Sequence, residues 1–98
     1  MIIDKKAEGS NLCIALKGRL DTTTAPVLEA ELTQSLAGVK ELEFDFAELE
    51  YISSAGLRVL LSAQKTMNKQ GSMCIRNVGP IIMEVFEITG FVDILTIV

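Results

Sequence analysis

The chain contains no histidine. Without an imidazole, Ser-His-Asp and Cys-His catalysis are excluded, and two cysteines alone do not complete any of the usual zinc sites. No Walker A, GxGxxG or GxSxG string occurs, so the common phosphate-cradling loops and the nucleophile elbow are missing too. Cys13 and Cys74 are the only cysteines and stand far apart. They read as reduced strand residues rather than a disulfide framework or a redox pair. No apolar run approaches the roughly 20 residues of a membrane span. The net charge is −4 with no basic cluster, which argues against nucleic acid as a partner, since phosphate binding leans on Lys and Arg. The opening MIIDKKAEG is too polar and too short for a signal peptide. The expectation is a cytoplasmic protein that does not insert into a membrane, needs no metal or cofactor, and is not an enzyme. A carboxylate-only enzyme stays chemically open, but no motif points to one.

What is present suffices for one small domain over residues 1–98. Hydrophobic residues make up 49% of the 98, enough for a core and too many for a disordered segment. IIDKKAE and NLCIALKG read as two strands joined by a tight turn around Gly9, Ser10 and Asn11. In the second, Leu12, Ile14 and Leu16 alternate with Cys13, Ala15 and Lys17, a period of two. GRLDTTTA reads as a polar loop. Pro26 suits the first turn of a helix, whose stripe is Leu28, Leu32 and Leu36 and whose end is Gly38 as a left-handed cap. ELEFDF is the next strand, with Leu42, Phe44 and Phe46 inward and Glu41, Glu43 and Asp45 outward. A second helix runs from near Ser54 to about Lys69, stopped by Gly71, with Leu57, Leu60, Leu61 and Met67 as its apolar face. SMCIRN is a fourth strand. Gly79 and Pro80 open a third helix, with Ile82, Val85 and Phe86 inward and Gly90 at its end. DILTIV is a fifth strand. Met67, Met73 and Met83 fill core or rim space.

The order β-β-α-β-α-β-α-β predicts an α/β fold. Three strand-helix-strand units in a row imply parallel strands joined by right-handed crossovers, while the opening hairpin makes the first strand antiparallel. The prediction is a mixed five-stranded sheet with the helices mainly on one face. The acidic alternation at Glu41, Glu43 and Asp45 leaves the other face open to water.

The densest stretch is FDFAELEYISSAGLRVLL, residues 44–61. A strand runs into a short polar loop, and a helix starts directly behind two serines. A helix N-terminus offers unpaired N–H groups and about half a positive charge, so a phosphate on a serine there meets ready donors. Serine is also a common helix cap, and geometry alone leaves both readings open for Ser53 and Ser54. Arg58 lies four residues past Ser54 and helical side chains lean toward the N-terminus, so its guanidinium can either meet a phosphate on Ser54 or stay solvated. Asp21 reads as an Asx turn before the first helix, compatible with a role in an interface. Asp45 reads as a solvated strand residue or loop anchor rather than a catalyst.

Taken together, GRLDTTTAP, ISSAGL after a strand, the NVGP turn and the final TGFVDIL segment resemble the STAS domains. Within them the chain resembles the bacterial anti-sigma factor antagonists, over essentially its whole length. The resemblance implies a partner switch. An anti-sigma factor that is itself a serine kinase phosphorylates the serine two before the glycine, the unphosphorylated form binds that kinase and frees the sigma factor, and a phosphatase resets the system. Gly56 matches that glycine and Ser54 the phosphoacceptor. Where many members carry Asp before the acceptor, this chain has Ser53, a second hydroxyl. The partner-binding positions implied are Asp21, Thr22, Ser53, Ser54, Ala55, Gly56 and Arg58. The alternative implied by the same fold is a STAS subunit of an ABC-type lipid-transport complex, which works by docking without phosphorylation.

Overall fold

A computed structural model describes residues 1–98. Two strands, β1 (Ile2–Glu8) and β2 (Asn11–Leu20), form the opening hairpin; α1 (Ala25–Ser35), β3 (Glu41–Ile52), α2 (Ser54–Gln70), β4 (Ser72–Arg76) and α3 (Pro80–Thr89) follow, and a 3-10 turn covers Phe91–Asp93. The sheet order is β1-β2-β3-β4. β1 is antiparallel to β2, with Glu8 opposite Asn11. The two-residue turn has Gly9 at φ +63°, the positive φ that the first central position of a II′ hairpin requires. β2, β3 and β4 are parallel.

Alternation sorts the sheet into two faces. Leu12, Ile14, Leu16 and Leu20 of β2, Leu42, Phe44 and Phe46 of β3, and Met73 and Ile75 of β4 are buried. All three helices cover this side. Leu28 and Leu32 anchor α1; Leu57, Leu60 and Met67 anchor α2; Ile82 and Phe86 anchor α3. The Phe46 and Phe86 rings lie 6.5 Å apart, seating α3 on β3, and Lys5 reaches from β1 to Glu31 and Ser35 of α1. The other face carries Cys13, Ala15, Glu43, Asp45 and Cys74, half-buried. Arg76 pairs with Glu43 at 2.7 Å, and Lys17 lies 3.5 Å from Asp4 and 3.4 Å from Glu48. Both cysteines are free, and their thiols are pushed up, first by burial and then by the Glu43 carboxylate.

Several expected boundaries move. DILTIV does not form a fifth strand. Gly90, left-handed at φ +80°, turns the chain into the 3-10 turn, and Ile94 and Leu95 both donate back to the Phe91 carbonyl. Those local bonds consume the residues a strand would need. Only Ile97 pairs with β4, as a single bridge to Ile75, and Leu95 is the buried anchor. The expected GRLDTTTA loop shrinks because β2 continues through Leu20, and β3 continues six residues past Phe46 to Ile52. α1 ends at Ser35 with Leu36 as its C-cap, so Gly38, at φ +79°, turns the loop beyond the helix instead of capping it. On α2, Leu61 is only half-buried, and Val59 and Ala63 join the buried face.

Gly71 matters for a reason other than helix stopping. Its backbone is extended at φ 179°, a conformation any residue adopts. A Cβ there, however, would lie 2.6 Å from the Lys40 carbonyl carbon, where the chain enters β4 and Ser72 donates to the Lys40 carbonyl at 2.9 Å. Gly71→Ala must push backbone apart, and a loss of about 1–3 kcal/mol or more is expected, read as a lower urea midpoint at unchanged m-value.

Candidate functional site

The site forms where β2 and β3 end together. Parallel strands deliver their C-terminal ends to one side of the sheet, where α/β proteins place their working loops. Here Arg19 pairs with Tyr51 and Leu20 with Ile52. The Ser53 N–H donates to the Leu20 carbonyl at 2.9 Å, so the start of α2 is tied to the end of β2. Gly56 lets the helix close onto this seat. A Cβ on it would meet Leu20 Cγ at 2.7 Å and Ile52 Cγ1 at 2.9 Å, both on buried side chains.

The two serines divide the work. Ser53, extended at φ −99°, ψ 175°, is the N-cap of α2, and its Oγ accepts from the Gly56 N–H at 3.4 Å. It is half-buried, whereas Ser54 is exposed at the first helical position. Ala55 is half-buried beside it, and Arg58 is exposed one turn further along and makes no ion pair within the chain. The cap and the exposed hydroxyl at the helix N-terminus are therefore different residues.

Asp21 organises the facing loop. Its Oδ1 accepts from the Thr23 N–H at 3.0 Å, the Thr23 hydroxyl at 2.7 Å and the Thr24 N–H at 3.1 Å. The Asp21 N–H donates to Thr24 Oγ1 at 2.8 Å. These donors, the Thr23 hydroxyl first, hold the Asp21 carboxyl at about 2, below its usual 3.8. The loop before α1 is thus an Asx turn, as the sequence suggests, and Asp21 is a fixed negative charge at neutral pH. Thr22 is exposed at the tip of this loop. Sequence reasoning missed Arg19 and Tyr51, whose side chains stack at the same strand ends. Their cross-strand pairing depends on a register that spacing alone does not reveal.

Elsewhere, Asp45 is a loop anchor. Its Oδ1 accepts from the Ala47 N–H at 2.9 Å and from Asn77 Nδ2 at 3.0 Å, and these bonds, Asn77 first, lower its carboxyl below the usual range. No group of three or more Cys, Asp or Glu side chains is arranged to hold a metal ion. No helix is long and apolar enough to cross a membrane.

A parallel three-strand run behind an antiparallel hairpin, three helices on one face, and a serine-capped helix seated by glycine on the strand ends define a class of protein. Residues 3–98 match the STAS domain family model, and the chain belongs to that family. It is similar to the Bordetella bronchiseptica protein BtrV, 40% identical over 85 residues that span 85% of this chain and 73% of BtrV. It is also similar to the anti-sigma-B factor antagonist of Bacillus subtilis, 29% identical over 96 residues that span 97% of this chain and 88% of that protein. Among solved structures it is similar in fold to the Bacillus cell fate determinant SpoIIAA, an anti-sigma factor antagonist. The unphosphorylated form gives a TM-score of 0.78 at 17% identity over 99% of this chain and 87% of that one. The phosphorylated form gives 0.77 at 18% identity over 99% and 91%.

The Asp21 carboxyl has a consequence for acid stability. Its folded value, about 2, lies below the ordinary 3.8. The stabilisation it supplies is therefore complete above 3.8 and is lost as pH falls toward about 2, because the unfolded chain takes up the proton first. Melting temperature measured across that window should fall less steeply for Asp21→Asn than for the wild type, from a lower starting value at neutral pH. An acid limb of unchanged steepness in the variant would contradict the assignment.

Proposed function

We propose that this chain is an anti-sigma factor antagonist, switched by phosphorylation of Ser54 by an anti-sigma factor with serine-kinase activity and reset by a phosphatase. One observation carries the choice of residue. Ser53 spends its Oγ on capping α2, and the exposed hydroxyl at the helix start is that of Ser54. The relatives named anti-sigma-B factor antagonists favour this reading over the lipid-transport subunit that the fold also allows.

The physics needed is modest. Phosphorylation adds about −1.5 to −2 charges and three acceptor oxygens at the first turn of α2. The backbone N–H groups there tolerate the added charge, so the domain can keep its fold. A partner seated on the same surface loses that tolerance. It must desolvate the phosphate beside the ionised Asp21, in a chain of net charge −4. A hundredfold loss of affinity needs only about 2.7 kcal/mol. The docking surface in this reading is Asp21, Thr22, Ser53, Ser54, Ala55, Gly56 and Arg58, with Gly56 acting by letting α2 approach and Arg58 available to a phosphate from one turn away. The chain acts stoichiometrically, by occupying a partner, with residues 1–98 working as one unit in the cytoplasm.

Incubation with the cognate kinase and ATP, followed by site mapping by mass spectrometry, should place the phosphate on Ser54. Ser54→Ala should bind the kinase and resist switching, while Ser54→Asp should bind at least tenfold more weakly. Modification confined to Ser53, or phosphorylated protein that binds as tightly as unmodified protein, would overturn this reading. Ser53→Ala should leave phosphorylation in place and lower stability by about 0.5–1 kcal/mol, the low end of a cap's worth for so long a bond.

A further inference from the structure

At the ends of β2 and β3, on the face away from the helices, stands a pair that the switch as described does not use. Arg19 Cζ lies 4.2 Å from the centroid of the Tyr51 ring. The two residues are register partners in the parallel ladder, next to Leu20 and Ile52, whose side chains point into the core under α2. Alternation along a strand therefore turns Arg19 and Tyr51 to the opposite side. Neither is hidden: the Arg19 side chain is 61% exposed and Tyr51 is 39% exposed.

The arginine is held without being used up. The Thr24 hydroxyl donates to the Arg19 carbonyl at 2.8 Å and fixes its backbone. The Tyr51 ring lies against the guanidinium and restrains it through a cation–π contact. The one carboxylate within 4.0 Å, Asp21 Oδ2, is 3.8 Å from Nε, a loose contact, and Asp21 Oδ1 is given over to Thr23 and Thr24. The terminal guanidinium N–H groups thus face water in a preset orientation. A planar fork of donors matches a carboxylate with two parallel bonds. Rigid Arg and Tyr side chains are also the types that dominate interface energetics, and a preset conformation lowers the ordering cost of binding. Only one residue, Ile52, separates Tyr51 from the capping Ser53.

We infer that Arg19, braced by Tyr51, is a specificity-determining contact that reads a carboxylate on the anti-sigma factor beside the Ser54 switch. This rests on the function proposed above and deepens it. The partner then spans the strand ends, meeting the start of α2 on one side and the stacked pair on the other. Ser54 phosphorylation decides whether it stays, and Arg19 helps decide which anti-sigma factor is accepted.

The test uses the full chain and the anti-sigma factor kinase that phosphorylates it. Affinity is measured by titration calorimetry for wild type, Arg19→Glu, Arg19→Lys and Tyr51→Leu, with melting temperatures alongside. Arg19→Glu should weaken binding at least thirtyfold, and Arg19→Lys and Tyr51→Leu by about three- to tenfold, with melting temperatures close to wild type. In the kinase reaction the KM for Arg19→Glu should rise while kcat holds. Replacing the facing partner carboxylate with Arg should restore binding to Arg19→Glu. Unchanged affinity in Arg19→Glu would overturn the inference while leaving the Ser54 switch intact. So would losses that merely follow melting temperature, or an effect confined to the phosphorylated form, which would make Arg19 a phosphate contact instead. A wild-type chain that binds no kinase overturns the function itself, and this inference with it.

Discussion

The closure of α2 onto the ends of two parallel strands is the contact on which the rest of this molecule depends. Leu20 and Ile52 stand side by side only because β2 and β3 run in the same direction to the same end of the sheet. Gly56 then settles onto their side chains at a distance that leaves no room for a methyl group. From that seat follow the bond between Ser53 and Leu20, the use of the Ser53 hydroxyl as a cap, and the exposure of Ser54 one residue later. A hydrophobic contact thereby dictates where a polar hydroxyl meets solvent.

The surroundings of the seat are rigid for electrostatic reasons. Asp21 gathers donors from Thr23 and Thr24 onto a single oxygen, so the loop facing α2 is set before any partner arrives. A preset loop and a preset helix end leave little ordering for binding to do, and in the switch proposed above an added phosphate would act through charge and bulk at a site that does not yield. Such an arrangement suits a switch that changes affinity without refolding the domain.

Behind the site, the sheet has unequal faces. The helix-covered face holds the core, including Phe44, Phe46 and Phe86, all almost completely buried. The open face is laced with Lys17, Glu43, Glu48 and Arg76 pairs that are worth little individually in water. They keep an uncovered sheet hydrated, where exposed strands would otherwise invite association with other strands. Arg19 and Tyr51 interrupt that pattern at the end nearest the site.

Local pattern was enough for much of this. The alternation of Leu12, Ile14 and Leu16, the helix begun at Pro80 and closed by Gly90, and the start of α2 at Ser54 all follow from backbone preference and periodicity, which neighbours in sequence decide among themselves. The combination of GRLD with ISSAGL was legible as well, and with it the family. What sequence could not supply was the register of β2 on β3. The ladder shifts between Ala15 and Lys17 and again between Gly18 and Arg19, each time with an extra residue on β3. These bulges break the period of two through AELEY, so the segment reads as loop although it is strand. Bulges are set by the partner strand, which periodicity does not contain. The same register alone joins Arg19 to Tyr51. At the C-terminus, DILTIV has strand composition, yet Gly90 and the bonds to the Phe91 carbonyl take the residues first. Short-range hydrogen bonds take Ile94 and Leu95, which leaves only Ile97 to bridge β4, and only the folded chain decides that competition.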